Sequence, residues 1–374
     1  MKTGILTFHR ADNYGAVLQA VALQEKFMQK KCEAEIIDYR CGIIEKSYLN
    51  RPAPKIRKNI LAWLREIFIW IRLCQKNNLR RERFEQFRSN LRMSCPVSDL
   101  NQKKEIEDSY DLIITGSDQV WNFNITKEID KWYCFEKTNN SGKTIVASYA
   151  ASVGSVDDFS KYFPMVNDII NSYDYISVRE SDAQEYLSKK TNKPVKLVLD
   201  PTLLIDFSFW DSLFKTESII NLPYVFYYDA SSNDSARKIA SKLAKRKCIR
   251  LIHFNPNILP KFKTRFAYES GPSEFLNLIK NAEYVVTSSF HATVFSIIFK
   301  KKFITVSHPV TGARVKTLLH ELGLDDRIVQ TNSKFEDNKI EKEPDYDVAY
   351  NNLLKLKRES NEFIDECIEA VKKI

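Results

Sequence analysis

The sequence predicts an α/β protein built as two Rossmann-like domains facing each other across a cleft. Three observations lead there. Short β-branched runs alternate with helical patterns along the chain, the rhythm of parallel strands joined by crossover helices. That rhythm occurs in two consecutive sets, joined near residues 206–222. The length, 374 residues, is more than one hydrophobic core usually supports.

In the first set the strand candidates are Gly4–Phe8, Glu35–Tyr39, Asp111–Thr115, Thr144–Ala150, Tyr175–Val178 and Val195–Leu199. Helical patterns fall between them, as at Ala16–Lys30 and Ser181–Lys189. The second set runs Tyr224–Asp229, Arg250–His253, Tyr284–Thr287 and Phe303–Ser307. Helical stretches Ser235–Lys245, Ser273–Lys280, Ala292–Phe299 and Val315–Leu322 separate these. An amphipathic helix at about Tyr346–Lys373 ends the sequence. The expected domains are therefore 1–206, carrying an insertion at 55–92, and 222–335, with the helix of 346–374 crossing back onto the first. In sheets of this kind ligands sit at the carboxyl ends of strands, so strand-end residues are the candidates for function.

Composition narrows the partners. The chain carries 57 Lys plus Arg against 48 Asp plus Glu, a formal net charge of +9 that favours anionic ligands. No helix-turn-helix, RNP or zinc-finger pattern accompanies it, which argues against nucleic acid. Seven scattered cysteines form no CxxC pair and read as reduced thiols in the cytosol. The N-terminal MKTGILTFHR reads as a strand and lacks the apolar stretch of a signal peptide. No segment has the long uncharged run of a membrane span, so the expectation is a cytoplasmic protein, or one lying against the membrane from that side. Residues 55–92 bear on that choice, because their tryptophans and aliphatics sit among many Lys and Arg. Such a helix either lies in a membrane interface or buries its apolar face on its neighbours.

Four strand-end constellations could carry chemistry. In Tyr284–Phe299 a buried strand ends in Thr287, Ser288 and Ser289, and a helix starts at about His291. Hydroxyls and free N–H groups at a helix N-terminus attract anions, and an imidazole beside them can act as acid or base. The plainer alternative makes the serines caps and His291 a satisfied surface residue. Arg179 follows the strand Tyr175–Val178; it could grip a carboxylate or phosphate, or form a salt bridge with Glu180 or Asp182. Asp118, Gln119, Trp121 and Asn122 resemble a sugar-binding set, with a tight turn and core tryptophan as the alternative. The first loop holds His9, Arg10, Asp12 and Asn13, denser in polar groups than a turn requires; Asn13 joins the acceptor candidates. Neither GxGxxG nor a Walker sequence is present, and the histidines at 9, 253, 291, 308 and 320 form no HxH or HxxxH. Chemistry without a cofactor or metal is the expectation.

Several blocks resemble the polysaccharide pyruvyl transferase family. They include Asn13-Tyr-Gly-Ala-Val-Leu-Gln19, Gly116-Ser-Asp-Gln-Val-Trp-Asn122, Ser148-Tyr-Ala-Ala-Ser-Val-Gly154, Ser177-Val-Arg-Glu180, Asp200-Pro-Thr202 and Thr287-Ser-Ser-Phe-His291. The likeness extends from about residue 3 to about residue 330, in the family's order. It implies a fold like that of GT-B glycosyltransferases, with phosphoenolpyruvate as donor and a glycan, often lipid-linked or part of a surface or capsular polymer, as acceptor. The implied product is a pyruvate ketal. Arg179 matches an arginine that holds the donor, and His291 the active-site histidine. Many members carry Arg-x-His at that site, where this chain has Ser289 two positions before His291. Either another base such as Arg314 fills the gap, or donor and chemistry have drifted.

The implied chemistry assigns His291 as acid, Asp118 or His9 as base, and Arg179, Ser288, Ser289 and Arg314 as donor contacts. Asn13, Gln119, Trp121 and Asn122 are the acceptor contacts. Two rival readings use the same residues: a GT-B-type glycosyltransferase taking a nucleotide sugar, and a non-catalytic glycan-binding protein of a polymer-assembly complex.

Overall fold

The computed structural model describes residues 1–49, 52–55, 59–138, 143–214, 218–229, 234–256, 258, 263–307, 312–331 and 339–374. The chain divides into two compact units. The first comprises Met1–Ser47, Asn90–Asp206 and Asp347–Ile374; the second comprises Tyr48–Ser89 and Phe207–Tyr346.

The first unit is built on β1 (Lys2–Leu6), β2 (Glu33–Ile36), β3 (Leu112–Asp118), β4 (Ile145–Ala151), β5 (Tyr175–Val178) and β6 (Val195–Leu197). They form one sheet in the order β2-β1-β3-β4-β5-β6, every pair parallel. β3 and β4 are buried along their whole length, so their near-continuous apolar runs reflect covering on both faces. The chain leaves β1 for β2 on one side and later returns to β3 on the other. The reversal between β1 and β3 opens a crevice at their carboxyl ends.

The second unit contains β7 (Tyr224–Tyr228), β8 (Arg250–His253), β9 (Thr264–Phe266), β10 (Tyr284–Thr287), β11 (Lys302–Ser307) and β12 (Ile328–Gln330). Its order, β12-β11-β10-β7-β8-β9, is again all parallel and reverses between β7 and β10. Val225, Tyr227, Val286, Ile304 and Val306 meet the helix Asp234–Arg246 through Ala236, Ala240 and Leu243 to form the core on one face. β9 and β12 are absent from the strands expected from sequence. Each has three residues, too few to express a period of two.

Two long helices depart from the simple domain boundaries. Ile60–Arg88, expected as an insertion in the N-terminal domain, belongs to the second unit. Its cations fix it there: Arg72 Nη1 donates to the carbonyls of Pro256 and Ile258, both at 3.3 Å, and lies 4.5 Å from the Phe266 ring centroid. Lys76 pairs with Glu269, and Arg83 Nη1 donates to the Glu269 carbonyl at 3.1 Å. The helix Tyr346–Lys372 lies mostly in the first unit, where Ser360 Oγ accepts the Leu199 amide at 2.9 Å and Phe363 meets Tyr149.

Among the described helices, none is long and apolar enough to cross a membrane.

His253 at the end of β8 is 1% exposed. Burial, aided by the nearby Arg72 charge and opposed by a backbone hydrogen bond at Asn255, lowers its pKa to about 4. The unfolded imidazole, near its ordinary value of about 6.5, binds a proton first as pH falls. Stability from neutral His253 is therefore complete above about pH 6.5, declines as pH falls, and is gone by about pH 4. Urea unfolding across that window should show wild type losing on the order of 3 kcal/mol more than His253→Gln.

Candidate active site

At the carboxyl end of the first sheet, Arg179 follows β5 with a side chain that is 1% exposed. Its guanidinium faces three carboxylates. Nη1 donates to Asp200 Oδ2 at 2.7 Å, Nη2 to Asp118 Oδ1 at 3.3 Å, and Nε to Glu180 Oε1 at 3.5 Å. Burial pushes the arginine pKa down, and Asp200, Glu180 and Asp118 more than reverse this, so it stands above its ordinary value. Hydroxyls also engage the carboxylates. Ser152 Oγ donates to Glu180 Oε1 at 2.5 Å, Thr202 Oγ1 to Asp200 Oδ1 at 2.6 Å, and Ser117 Oγ to Asp200 Oδ2 at 3.4 Å. Of the three acids Asp118 has the most exposed side chain, at 11%. Sequence reasoning offered Arg179 as a clamp for the donor, with an internal salt bridge as the alternative. The structure gives it the salt bridge, to Asp200 and Asp118 as well as Glu180.

Asp118 ends β3 in a left-handed conformation, φ 72°, which aspartate tolerates better than most residues. Just before it, Gly116 has φ 121°, and a Cβ there would stand 2.3 Å from the Tyr149 carbonyl oxygen. Only glycine lets β3 run this close to β4. Asn122 Nδ2 donates to Gln119 Oε1 at 2.8 Å, and both amides are half-buried. Gly154 (φ 75°) lies beneath the pair, where a Cβ would fall 2.4 Å from Asn122 Nδ2. Trp121 departs from expectation. It is 0% exposed, set edge-on to Tyr173, and offers no face to a sugar ring.

In the first loop, His9 is also corrected. His9 is 0% exposed, its Nδ1 3.0 Å from the Thr7 carbonyl and its Nε2 3.0 Å from Asp38 Oδ1. With both ring nitrogens engaged and no surface, it cannot serve as base for a sugar hydroxyl. Arg10 forks onto the same carboxylate at 2.7 and 2.5 Å, and Arg40 adds a contact at 3.3 Å. Burial opposes the Asp38 charge, but His9 and Arg10 overcome it and hold the carboxyl well below the usual range. Asn13 is the N-cap of the helix Tyr14–Gln29, its Oδ1 accepting from the amides of Gly15 and Ala16. Its amide oxygen is therefore engaged in capping.

In the second unit the crevice between β7 and β10 holds the other candidates. Thr287 is in register with Tyr228, so Ser288 falls beside Asp229 and donates its hydroxyl to that carboxylate. Tyr227 Oη donates to Asp229 Oδ2 at 3.1 Å. Ser289 is the N-cap of the helix Phe290–Ile298, its Oγ accepting from the Ala292 amide at 3.5 Å. His291 sits in the first turn, 7% exposed, its ring edge-on to Phe290 with centroids 5.1 Å apart. Arg314, in the first turn of the helix Ala313–Glu321, lies 6.0 Å from that same Phe290 ring. His291 and Arg314, 23 positions apart, thus flank one aromatic side chain. Asp229, Glu180 and Asp200 were not among the expected site residues. Their signal was their position at or just beyond strand ends, together with Glu180 beside Arg179.

Among the described residues no group of three or more His, Cys, Asp or Glu could hold a metal ion. In the carboxylate cluster of the first unit, the guanidinium supplies the counter-charge. His308 lies outside the described residues.

Two Rossmann-like units with polar groups at their strand reversals define the class: a GT-B-like α/β protein. Solved structures of the same fold include UDP-GlcNAc 2-epimerase from Neisseria meningitidis bound to UDP-GlcNAc. That match has TM-score 0.53 and 11% identity, and covers 100% of both chains. S. aureus MnaA with UDP matches at TM-score 0.51 and 11% identity, over 96% of this chain and 90% of that one. The glycosyltransferase SnogD from Streptomyces nogalater matches at 0.43 and 10%, over 100% and 98%. Identities this low speak to fold alone. No curated protein matches the chain. The chain belongs to the polysaccharide pyruvyl transferase family, whose model matches residues 13–309.

Replacing Arg179 by Ala should remove the guanidinium from Asp118, Glu180 and Asp200 and cost about 3–5 kcal/mol in urea unfolding. Arg179→Ala with Asp200→Asn should recover part of that loss. A change below about 1 kcal/mol for the single variant would mark the pairs as weak, surface-like ones.

Proposed function

We propose that this protein transfers the pyruvyl unit of phosphoenolpyruvate onto two hydroxyls of one sugar in a surface or capsular polysaccharide precursor. Family membership over residues 13–309 carries the reading. The second unit supplies the donor groups. The N-terminus of the helix Phe290–Ile298, Ser289 and Arg314 meet phosphate and carboxylate, two anions for which backbone N–H groups and a guanidinium are suited. Ser288 contributes less in this reading, because its hydrogen goes to Asp229. Arg314 takes the place of the arginine that Ser289 replaces.

The chemistry balances without an oxidant or reductant. His291 delivers a proton to the methylene carbon, which becomes a methyl group, and positive charge develops on the neighbouring carbon. One sugar hydroxyl adds to that carbon and a second displaces phosphate, so two C–O bonds form and one C–O bond to phosphate breaks. Of the two hydroxyl protons, one replaces the proton His291 gave and the other leaves with phosphate. Asp118, the most exposed carboxylate of its cluster, accepts a hydroxyl proton, while Gln119 and Asn122 contact the acceptor. Arg179 is then a positioning residue, holding Asp118 in place through Nη2. This reading puts the reaction in the cytoplasm, at the inner face of the membrane when the acceptor is lipid-linked.

Thermal unfolding with phosphoenolpyruvate, beside UDP- and GDP-sugars, tests the donor. At a hundred times its dissociation constant, phosphoenolpyruvate should add about 2.7 kcal/mol to wild type and far less to Arg314→Ala. His291→Ala should keep the stabilisation and lose phosphate release with acceptor present. Stabilisation by a nucleotide sugar and none by phosphoenolpyruvate would overturn the donor assignment.

A further inference from the structure

The helix Ile60–Arg88 turns its cationic side chains onto the second unit and leaves its first three turns apolar on the outside. Ile60, Leu61, Leu64, Phe68 and Ile71 are 64, 81, 49, 44 and 41% exposed. At 100° per residue these five positions fall within an arc of about 100°, a continuous stripe roughly 16 Å long. Isolated exposed leucines are ordinary; five large apolar side chains in register on one helix are not. The surroundings are strongly basic. From Lys55 to Arg65, the part of the chain that leads into and borders the stripe, the sequence holds four Lys or Arg and no acid, a formal charge of +4, with Glu66 following. Arg65 stands exposed on the flank of the stripe. Trp63, half-buried, donates its indole N–H to the Pro54 carbonyl at 3.3 Å.

We propose that this stripe is a docking surface for an anionic lipid bilayer, with the helix lying in the interface plane. An apolar arc flanked by Arg65 and preceded in sequence by Lys55, Arg57 and Lys58 matches such a surface twice. The aliphatic and aromatic groups enter the acyl boundary, and the basic residues are drawn to anionic head groups. Charge also separates this occupant from a second copy of the chain. A symmetric dimer through the stripe would bring two basic segments together, whereas a bilayer supplies the opposite sign. The stripe is about half the thickness of a hydrocarbon core, so it lies on the membrane and does not span it. The inference stands on the helix alone and does not depend on the identity of the donor.

Flotation of the full chain with vesicles decides it, comparing equal parts phosphatidylcholine and phosphatidylglycerol with phosphatidylcholine alone. Wild type should float with the anionic vesicles, and at least about tenfold less with neutral ones or in high salt. The variant Leu61→Ser, Leu64→Ser, Phe68→Ser should float at least about tenfold less while keeping its melting temperature, because the replaced side chains are exposed. Arg65→Glu should weaken flotation with the stripe intact. Absence of wild-type flotation, or equal flotation of the triple variant, would overturn the proposal. So would a wild-type dimer in analytical ultracentrifugation that the triple variant abolishes, since the stripe would then be a self-association face.

Discussion

Arg179 ties together the ends of neighbouring strands of the first sheet. It leaves β5 and reaches Asp118 at the end of β3, Glu180 beside it, and Asp200 beyond β6. A buried carboxylate without a partner is costly, and three near one another cost more, since each raises the field on the others. The guanidinium is the group that can face several carboxylates at once, because its donors fan out in one plane. Ser117, Ser152 and Thr202 then take up part of the remaining acceptor capacity. The left-handed Asp118 and the close passage at Gly116 follow from the same requirement, a strand end bent to present a carboxylate to that cation.

The Asp38 site works on the same principle with the signs inverted. There one buried carboxylate gathers His9, Arg10 and Arg40 at the ends of β1 and β2. Both clusters lie at the carboxyl edge of one parallel sheet, where the strands cease to pair and polar groups can collect. The second unit shows a smaller version, with Asp229 accepting from Ser288 and Tyr227 at the reversal between β7 and β10. In the first unit Asp118 and the amides of Gln119 and Asn122 are left more exposed than Glu180 and Asp200.

Much of the fold was legible in the sequence because parallel strands are apolar on both faces. Tyr175–Val178, Arg250–His253 and Tyr284–Thr287 appear with the bounds their β-branched runs indicate. The edge strands Thr264–Phe266 and Ile328–Gln330 were not legible, being too short to carry a pattern. The helix Val156–Ser172 also went unmarked; it carries Pro164, a residue usually taken as a helix breaker. Site residues divide along another line. Ser289 as a cap and His291 beside a helix N-terminus could be anticipated, since both follow from local sequence. The burial of His9 and Trp121 could not, because a polar loop and a strand-end aromatic read alike whether they face solvent or core.

By itself, then, the sequence determined the all-parallel α/β character, the approximate strands, the basic balance and the strand-end positions where chemistry belongs. These depend on composition and on periods of two or four residues, which neighbours along the chain express. Tertiary structure alone decided that Arg179 reaches Asp118 and Asp200 from separate segments, and that Arg314 joins His291 at Phe290. It also placed the helix Ile60–Arg88 with the second unit, its apolar stripe outward. Each of these is a contact or an exposure between segments tens to hundreds of residues apart. Which charge answers which is fixed by packing and desolvation in the folded chain, and no local pattern encodes it.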